Sequence, residues 1–191
     1  MIMRIKGQRF SFKQLICLAI YYGVAIRLPK SGTVFVGGIS KYIRYMLVKG
    51  IFKKCGKHVN VERGVVFGRG TDIEIGDWSG IGVNAVIPST SKIGKYVMMG
   101  PNCYVLDLNH RYDEIDKPMC FQGWTAKKTL IIEDDVWIGR NVLMTPGRTI
   151  KKGSIIAAGC VLCKDFPEYS VVGGNPSKLI KSRLQNDKNK E

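Results

Sequence analysis

The sequence predicts an all-β solenoid, a parallel β-helix of hexapeptide repeats, and three observations carry that reading. Apolar residues recur every six positions at Ile75, Ile81, Ile87, Ile93, Met99 and Val105, and again at Ile132, Ile138, Met144, Ile150, Ile156 and Leu162. Four places after each start stands a small or β-branched residue (Ser79, Ala85, Ser91, Val97, Cys103, Val136, Val142, Ser154, Cys160), with Arg148 the exception. Residues eighteen apart also match in character: Ile132 with Ile150, Ile138 with Ile156, Met144 with Leu162. In such a fold each hexad makes one short strand and one corner, and three hexads close a triangular coil. A period of six is neither helical nor strictly alternating.

Residues 1–58 read as a basic, partly helical lead-in. Residues 1–60 hold twelve of the 30 Lys and Arg and none of the 15 Asp and Glu, so the net charge of +15 is concentrated there. A wholly cationic segment suits an anionic surface. Few aromatics are interleaved with the cations and no nucleic-acid motif appears, so membrane lipid stands ahead of nucleic acid as a partner, and an ordinary solvated face is the alternative reading. Leu15 to Ile26 is a mostly apolar run of twelve residues, too short to span a bilayer. Arg27-Leu28-Pro29 follows it directly, which leaves no small-x-small cleavage site. Two readings stay open for this run, a helix lying in a membrane interface or a helix packed on the end of the solenoid.

The solenoid is expected over residues 59–166. Starts at Val61, Phe67 and Ile73 open it, and a slip of two residues leads into the main frame at Ile75. Val105 and Ile132 are twenty-seven residues apart, which is no multiple of six, so a loop at about 106–131 must leave the stack. Long excursions from a compact scaffold are characteristically functional. Pro167 opens a closing segment, 167–191, that ends in a polar tail from Arg183. A chain of 191 residues, 45% of them apolar, is one domain whose core is a stack rather than a sphere.

The six cysteines show no disulfide framework, and Cys103 and Cys160 fall in the small-residue slots, where a reduced thiol serves as a small apolar group. Cys160-x-x-Cys163 lacks the second pair or histidine cluster that a metal site needs, so no metal is expected. The cysteine usage fits a reducing cytoplasm.

The loop opens with Asp107-Leu108-Asn109-His110-Arg111-Tyr112-Asp113, and His110 is one of two histidines. A histidine near neutral pKa can take a proton from a hydroxyl or amine as it attacks an activated carbonyl. Asp107, Asn109, Asp113 and Glu114 are near enough in sequence to orient it.

Several motifs together resemble the hexapeptide-repeat acyltransferases, in particular the sugar O-acetyltransferases related to maltose and galactoside acetyltransferases and to surface-polysaccharide acetyltransferases. They are Ile93-Gly94 through Gly100-Pro101-Asn102, Asn109-His110, Pro118-Met119, Gln122-Gly123, Asp135-Val136-Trp137-Ile138-Gly139, Ala157-Ala158-Gly159, Lys164-Asp165, and Val172-Gly173-Gly174-Asn175-Pro176-Ser177-Lys178. The resemblance covers about residues 60–183 in the expected order. It implies a left-handed coil, a homotrimer and direct transfer from acetyl-CoA to an acceptor, with His110 as general base beside Asn109 and Asp107. It further implies that Trp137 walls the thioester and that Gly139, Arg140, Ala158 and Cys163 line the pantetheine path. Lys164, Lys178 and Lys181 would meet the nucleotide phosphates, and Pro176 would pack on the adenine. Three clustered lysines suit a polyanionic ligand in any case. On the acceptor side stand Asn84, Tyr112 and Gln122; Gly80 aligns where the disaccharide enzymes carry asparagine, and Asn84 is the stand-in. Ser177, Cys160, Cys163 and Lys151 depart from the family's usual residues without removing chemistry.

The expected acceptor is a small-molecule or lipid-linked sugar hydroxyl in polysaccharide biosynthesis, reached by a cytoplasmic enzyme on the inner face of the membrane. The alternatives are N-acetylation of an amino-sugar nucleotide and a non-catalytic solenoid scaffold. A zinc carbonic anhydrase of the same fold would need three histidine ligands, and His58 and His110 are the two present.

Overall fold

The computed structural model describes residues 2–5 and 8–184. Two-residue strands stack as parallel rungs on three faces. Face I comprises Lys54–Cys55, Glu74–Ile75, Lys92–Ile93, Ile131–Ile132 and Thr149–Ile150. Face II runs Asn60–Val61, Gly80–Ile81, Met98–Met99, Trp137–Ile138 and Ile155–Ile156, then Ser170–Gly173. Face III holds Tyr104–Val105, Leu143–Met144 and Val161–Leu162, extended downward by the bridges Val66–Val86 and Val86–Tyr104. The second residue of each two-residue strand points inward: Ile81, Ile138 and Met144 are fully buried. Every small-slot residue from Ser79 to Cys160 is buried as well, so the hexad rule describes the core. Arg148, its exception, turns outward and donates to the Cys163 carbonyl at 3.0 Å.

Stacking follows the eighteen-residue rule, with Ile132 beside Ile150, Ile138 beside Ile156 and Met144 beside Leu162. The opening turn departs from it. Cys55 pairs with Ile75 and Val61 with Ile81, a repeat of twenty. The solenoid therefore starts at Lys54, ahead of the expected boundary at 59, and Cys55 opens the first frame, six residues before Val61. Ile73 is not a hexad start: it lies two residues before Ile75, in the buried slot that Leu130 fills before Ile132. The two extra residues widen the corner at Gly68-Arg69-Gly70, where both glycines have positive φ (59° and 65°).

The upper end continues past 166. Ser170–Gly173 adds a parallel rung to face II, and Lys178–Ser182 turns back antiparallel against it. An antiparallel closing strand shields the growing edge of a parallel stack. Residues 185–191, most of the expected polar tail, lie outside the described residues.

At the lower end the lead-in forms an antiparallel hairpin, Ile2–Ile5 with Gln8–Ser11, then helices α1 (Phe12–Gly23) and α2 (Gly37–Ile51). The hairpin was not legible in the sequence. Ser11 caps α1, accepting from the Gln14 backbone N–H at 3.2 Å while the Gln14 side chain returns the bond at 2.9 Å. Both helices close the solenoid. Tyr21 and Phe52 pack on Phe67, with ring centroids 4.7 and 5.0 Å apart, and Tyr21 Oη donates to the Val65 carbonyl at 2.9 Å. Gly50 allows α2 to approach α1, since a Cβ there would stand 2.7 Å from Cys17 Sγ. Arg44 of α2 is fully buried and donates to the carbonyls of Val61 (2.6 Å) and Pro29 (2.9 Å). All six cysteines are free thiols, with Cys103 and Cys160 buried, as the small-slot reading expects.

Candidate active site

The ejected loop leaves and returns at the corner between faces III and I. Ile93 pairs directly with Ile132, and Val105 with Met144, so the ladder closes beneath the loop without a gap. Its root is a short antiparallel arm in which the Arg111 N–H donates to the Gly123 carbonyl at 3.0 Å and the Thr125 N–H to the Asn109 carbonyl at 2.8 Å. His110 and Trp124 bridge this arm, and their rings lie 3.6 Å apart at 32°. His110 is exposed, and among the described residues no group hydrogen-bonds its ring. Both ring nitrogens are thus open to a partner from outside the chain.

The expected orienting carboxylates face elsewhere within one chain. Asp107 pairs with Lys127 at 2.9 Å and its carbonyl accepts from the Lys128 N–H at 2.7 Å, which clamps the root of the loop. Asp113 pairs with Arg111 at 3.3 Å. Gln122 is buried and its amide is engaged by the loop itself. It donates to the carbonyls of Glu114 and Lys117, both at 2.7 Å, and accepts from the Glu114 N–H at 3.1 Å. These bonds hold the shape of the loop. Tyr112 stands 69% exposed on the loop surface. Beneath the root lies an open cleft of about 200 Å³ lined by Val66, Val86, Ser89, Tyr104, Asp107 and Lys127.

The remaining candidates lie across face III and above it. Asn84 stands on the corner between faces II and III, where it heads a ladder of asparagines. Asn84 donates to Asn102 at 3.3 Å and Asn102 to Asn141 at 3.1 Å, all three with positive φ, a conformation that asparagine tolerates. Arg140 joins them around a second opening of about 420 Å³. Ala158 caps the same corner one coil higher, exposed. Gly139 sits beneath it, and a Cβ there would meet the Ala158 amide nitrogen at 2.5 Å, so close stacking of these two corners requires glycine. Trp137 projects from face II, half exposed, between Met98 and Ile155.

Cys163 is exposed at the next corner. Hydrogen bonds from the Ser177 hydroxyl, 3.2 Å away, and from the backbone hold its thiol below the usual value against the opposing effect of desolvation. Lys164 extends over the Phe166 ring at 5.5 Å. Pro176, Lys178 and Lys181 are exposed on the closing hairpin. Among the described residues no cluster of His, Cys, Asp or Glu could hold a metal ion.

One chain therefore divides the candidates. His110 rises from one edge of face III, and Asn84, Arg140 and Ala158 line its opposite edge. Trp124 was absent from the sequence reading. Its signal was its position: one of three tryptophans, placed inside the frame break just before the repeat resumes.

No family model matches the chain. Galactoside O-acetyltransferase of Escherichia coli is 32% identical over 148 residues, spanning 76% of this chain and 71% of that protein. A Mycobacterium tuberculosis relative with an acetyltransferase name is 31% identical over 165 residues, and the chain spans only 54% of its length. Among solved structures, a hexapeptide-repeat acetyltransferase of Vibrio cholerae in complex with acetyl coenzyme A superposes with a TM-score of 0.68 at 29% identity, covering 93% of this chain and 94% of that one. Repeat, coil geometry and relatives agree: the chain belongs to the hexapeptide-repeat acetyltransferases, left-handed β-helix enzymes.

Proposed function

We propose that the protein transfers the acetyl group of acetyl-CoA to a sugar hydroxyl, as a homotrimer, in the building of a surface polysaccharide. The observation that carries this reading is the open imidazole of His110 on the one loop that interrupts the solenoid. His110 takes the hydroxyl proton as the sugar oxygen attacks the thioester carbonyl; the tetrahedral intermediate then expels the CoA sulfur, which recovers a proton from the imidazolium. No covalent acyl-enzyme is required. Trp137, Gly139, Arg140, Ala158 and Cys163 hold the acyl and pantetheine portion, while Lys164, Lys178, Lys181 and Pro176 receive the nucleotide. Asn84 and Tyr112 serve the acceptor.

The trimer reading has its own support. The outward residues of face III are Val66, Val86, Tyr104, Leu143 and Val161, all apolar or aromatic, whereas face I presents Lys54, Glu74, Lys92, Ile131 and Thr149, four of the five polar. The loop also exposes Ile115 (95%), Phe121 (71%) and Met119 (64%). A neighbour packed on face III would cover this surface and set its own Arg140 corner against His110. No helix of the described residues is long and apolar enough to cross a membrane, and residues 1–58 are proposed to dock a cytoplasmic enzyme on an anionic inner face.

The decisive assay supplies acetyl-CoA with hydroxyl-bearing sugars and, separately, amine-bearing sugar nucleotides, and follows CoA release. O-acetylated product from the first set is expected. Turnover confined to amines would replace this reading with N-acetylation. Neither turnover nor acetyl-CoA binding by calorimetry would make the solenoid a scaffold.

A further inference from the structure

The lead-in helices are apolar on two sides, and only one side is covered. Toward the solenoid they bury Tyr21, Val48 and Ile51. Away from it, α1 exposes Phe12, Ile16 and Ile20 at a spacing of four, and Val24 continues the stripe (56, 44, 45 and 60% exposed). On α2, Ile39, Tyr42, Ile43 and Met46 repeat the pattern at i, i+3, i+4 and i+7, each at least 38% exposed. A helix that is apolar all round is ordinarily buried all round.

The connector between the helices adds an independent sign. Val34, Phe35 and Val36 are 72, 95 and 44% exposed. Phe35 also has a φ of 64°. Positive φ is uncommon for a bulky non-glycine residue, and Phe35 holds it outside the solenoid corners where Trp78, Tyr96 and Tyr169 adopt it. Among the described residues nothing packs on this ring.

We propose that this surface is an interfacial docking site for an anionic lipid bilayer, with α1 and α2 lying in the membrane plane and Phe35 inserted between headgroups. The proposal deepens the membrane reading above and rests on it. Charge selects the occupant. Lys13, Arg27, Lys41 and Lys49 are exposed on or beside the two helices, and residues 1–60 contain no Asp or Glu. A second copy meeting this face would bring the same cations against each other, whereas phosphate headgroups complement them. α1 is twelve residues long, too short to span, so the helix lies on the surface.

The test is co-sedimentation of the full chain with vesicles of phosphatidylcholine, with and without phosphatidylglycerol, at low and high salt. Pelleting with the anionic vesicles, reduced by salt, is expected. Lys13→Gln with Lys41→Gln should weaken binding about fivefold per charge removed. Phe35→Ser, at a position that packs on nothing, should weaken it about tenfold at either salt. In Phe35→Trp the added indole should show a blue shift of emission only when anionic vesicles are added. Absence of pelleting at low salt overturns the proposal. So does a Phe35→Trp blue shift that appears without lipid and grows with protein concentration, which would assign the face to a second copy. Acetyl-CoA calorimetry on the same samples separates the two readings: cofactor binding without vesicle binding defeats only the docking site, and the reverse defeats only the acetyltransferase reading.

Discussion

The imidazole of His110 rests on the indole of Trp124, 3.6 Å between centroids, across a two-sided arm whose backbone bonds fix both residues. Stacking supplies one wall and leaves the ring nitrogens without a hydrogen-bond partner among the described residues, so under the proposed mechanism Trp124 is a positioning residue for the base His110. His110→Ala should lower turnover by ~10²–10⁴ with acetyl-CoA affinity retained. Trp124→Ala should reduce kcat by ~10–10² with little change in KM, and Trp124→Phe should restore most of it. Steady-state kinetics on the three variants checks both roles, and wild-type turnover in His110→Ala would remove the histidine from the mechanism.

The clamp between α2 and the first coil predicts a pH dependence. Glu62 lies 3.5 Å from the buried Arg44 guanidinium and accepts from the Ser31 hydroxyl, the Ser31 N–H (3.0 Å) and the Asn60 amide (3.0 Å). Burial alone would raise its pKa, but these hydrogen bonds outweigh it and hold the carboxyl below the ordinary range. A depressed pKa stabilises the fold above the unfolded value, and that contribution disappears as pH falls through the folded value. Glu62→Gln should therefore cost about 2 kcal/mol at neutral pH. The melting-temperature gap between wild type and Glu62→Gln should close on acidification below the carboxylate range. A gap that persists in acid would locate the loss elsewhere.

Face III predicts assembly. Leu143→Glu places a charge at the centre of its apolar column and should shift trimer dissociation by more than ~10², since burying an unpaired charge costs several kcal/mol. Light scattering should report monomers, circular dichroism an intact solenoid, and the assay little turnover. Full activity from the monomer would contradict the shared site.

For the lysines of the closing hairpin, Lys178→Ala with Lys181→Ala should raise KM for acetyl-CoA about threefold to tenfold. Because acetyl-pantetheine lacks the nucleotide phosphates, its KM should not move. Equal losses for both donors would disconnect these side chains from the phosphates.

The solenoid was legible in the sequence because each rung is a local event. An inward apolar residue and a small corner residue recur within six positions, and no distant contact is needed to read them. The opening turn was misread at Ile73 because a hexad start and the slot two places before it are both buried and apolar, and only the Cys55–Ile75 pairing separates them. The loop that carries His110 was legible from the frame break, but the surroundings of the histidine were not. Asp107 faces Lys127 and Gln122 ties the loop together because those choices are made by backbone geometry between segments that no repeat describes. The same holds for the exposed stripes of α1 and α2: a twelve-residue apolar run does not reveal which half of it the solenoid covers.

The direct pairing of Ile93 with Ile132 makes the ejected loop a graft: cut at its root, the scaffold would still close. Sequence drift in residues 107–129 is thus uncoupled from the stability of the stack, and insertions there meet no rung. A lineage carrying this fold can change the length and chemistry of the segment that bears His110 while the corners proposed to hold the donor stay as they are. New acceptors are therefore accessible by altering one surface excursion, without rebuilding the column that supports it.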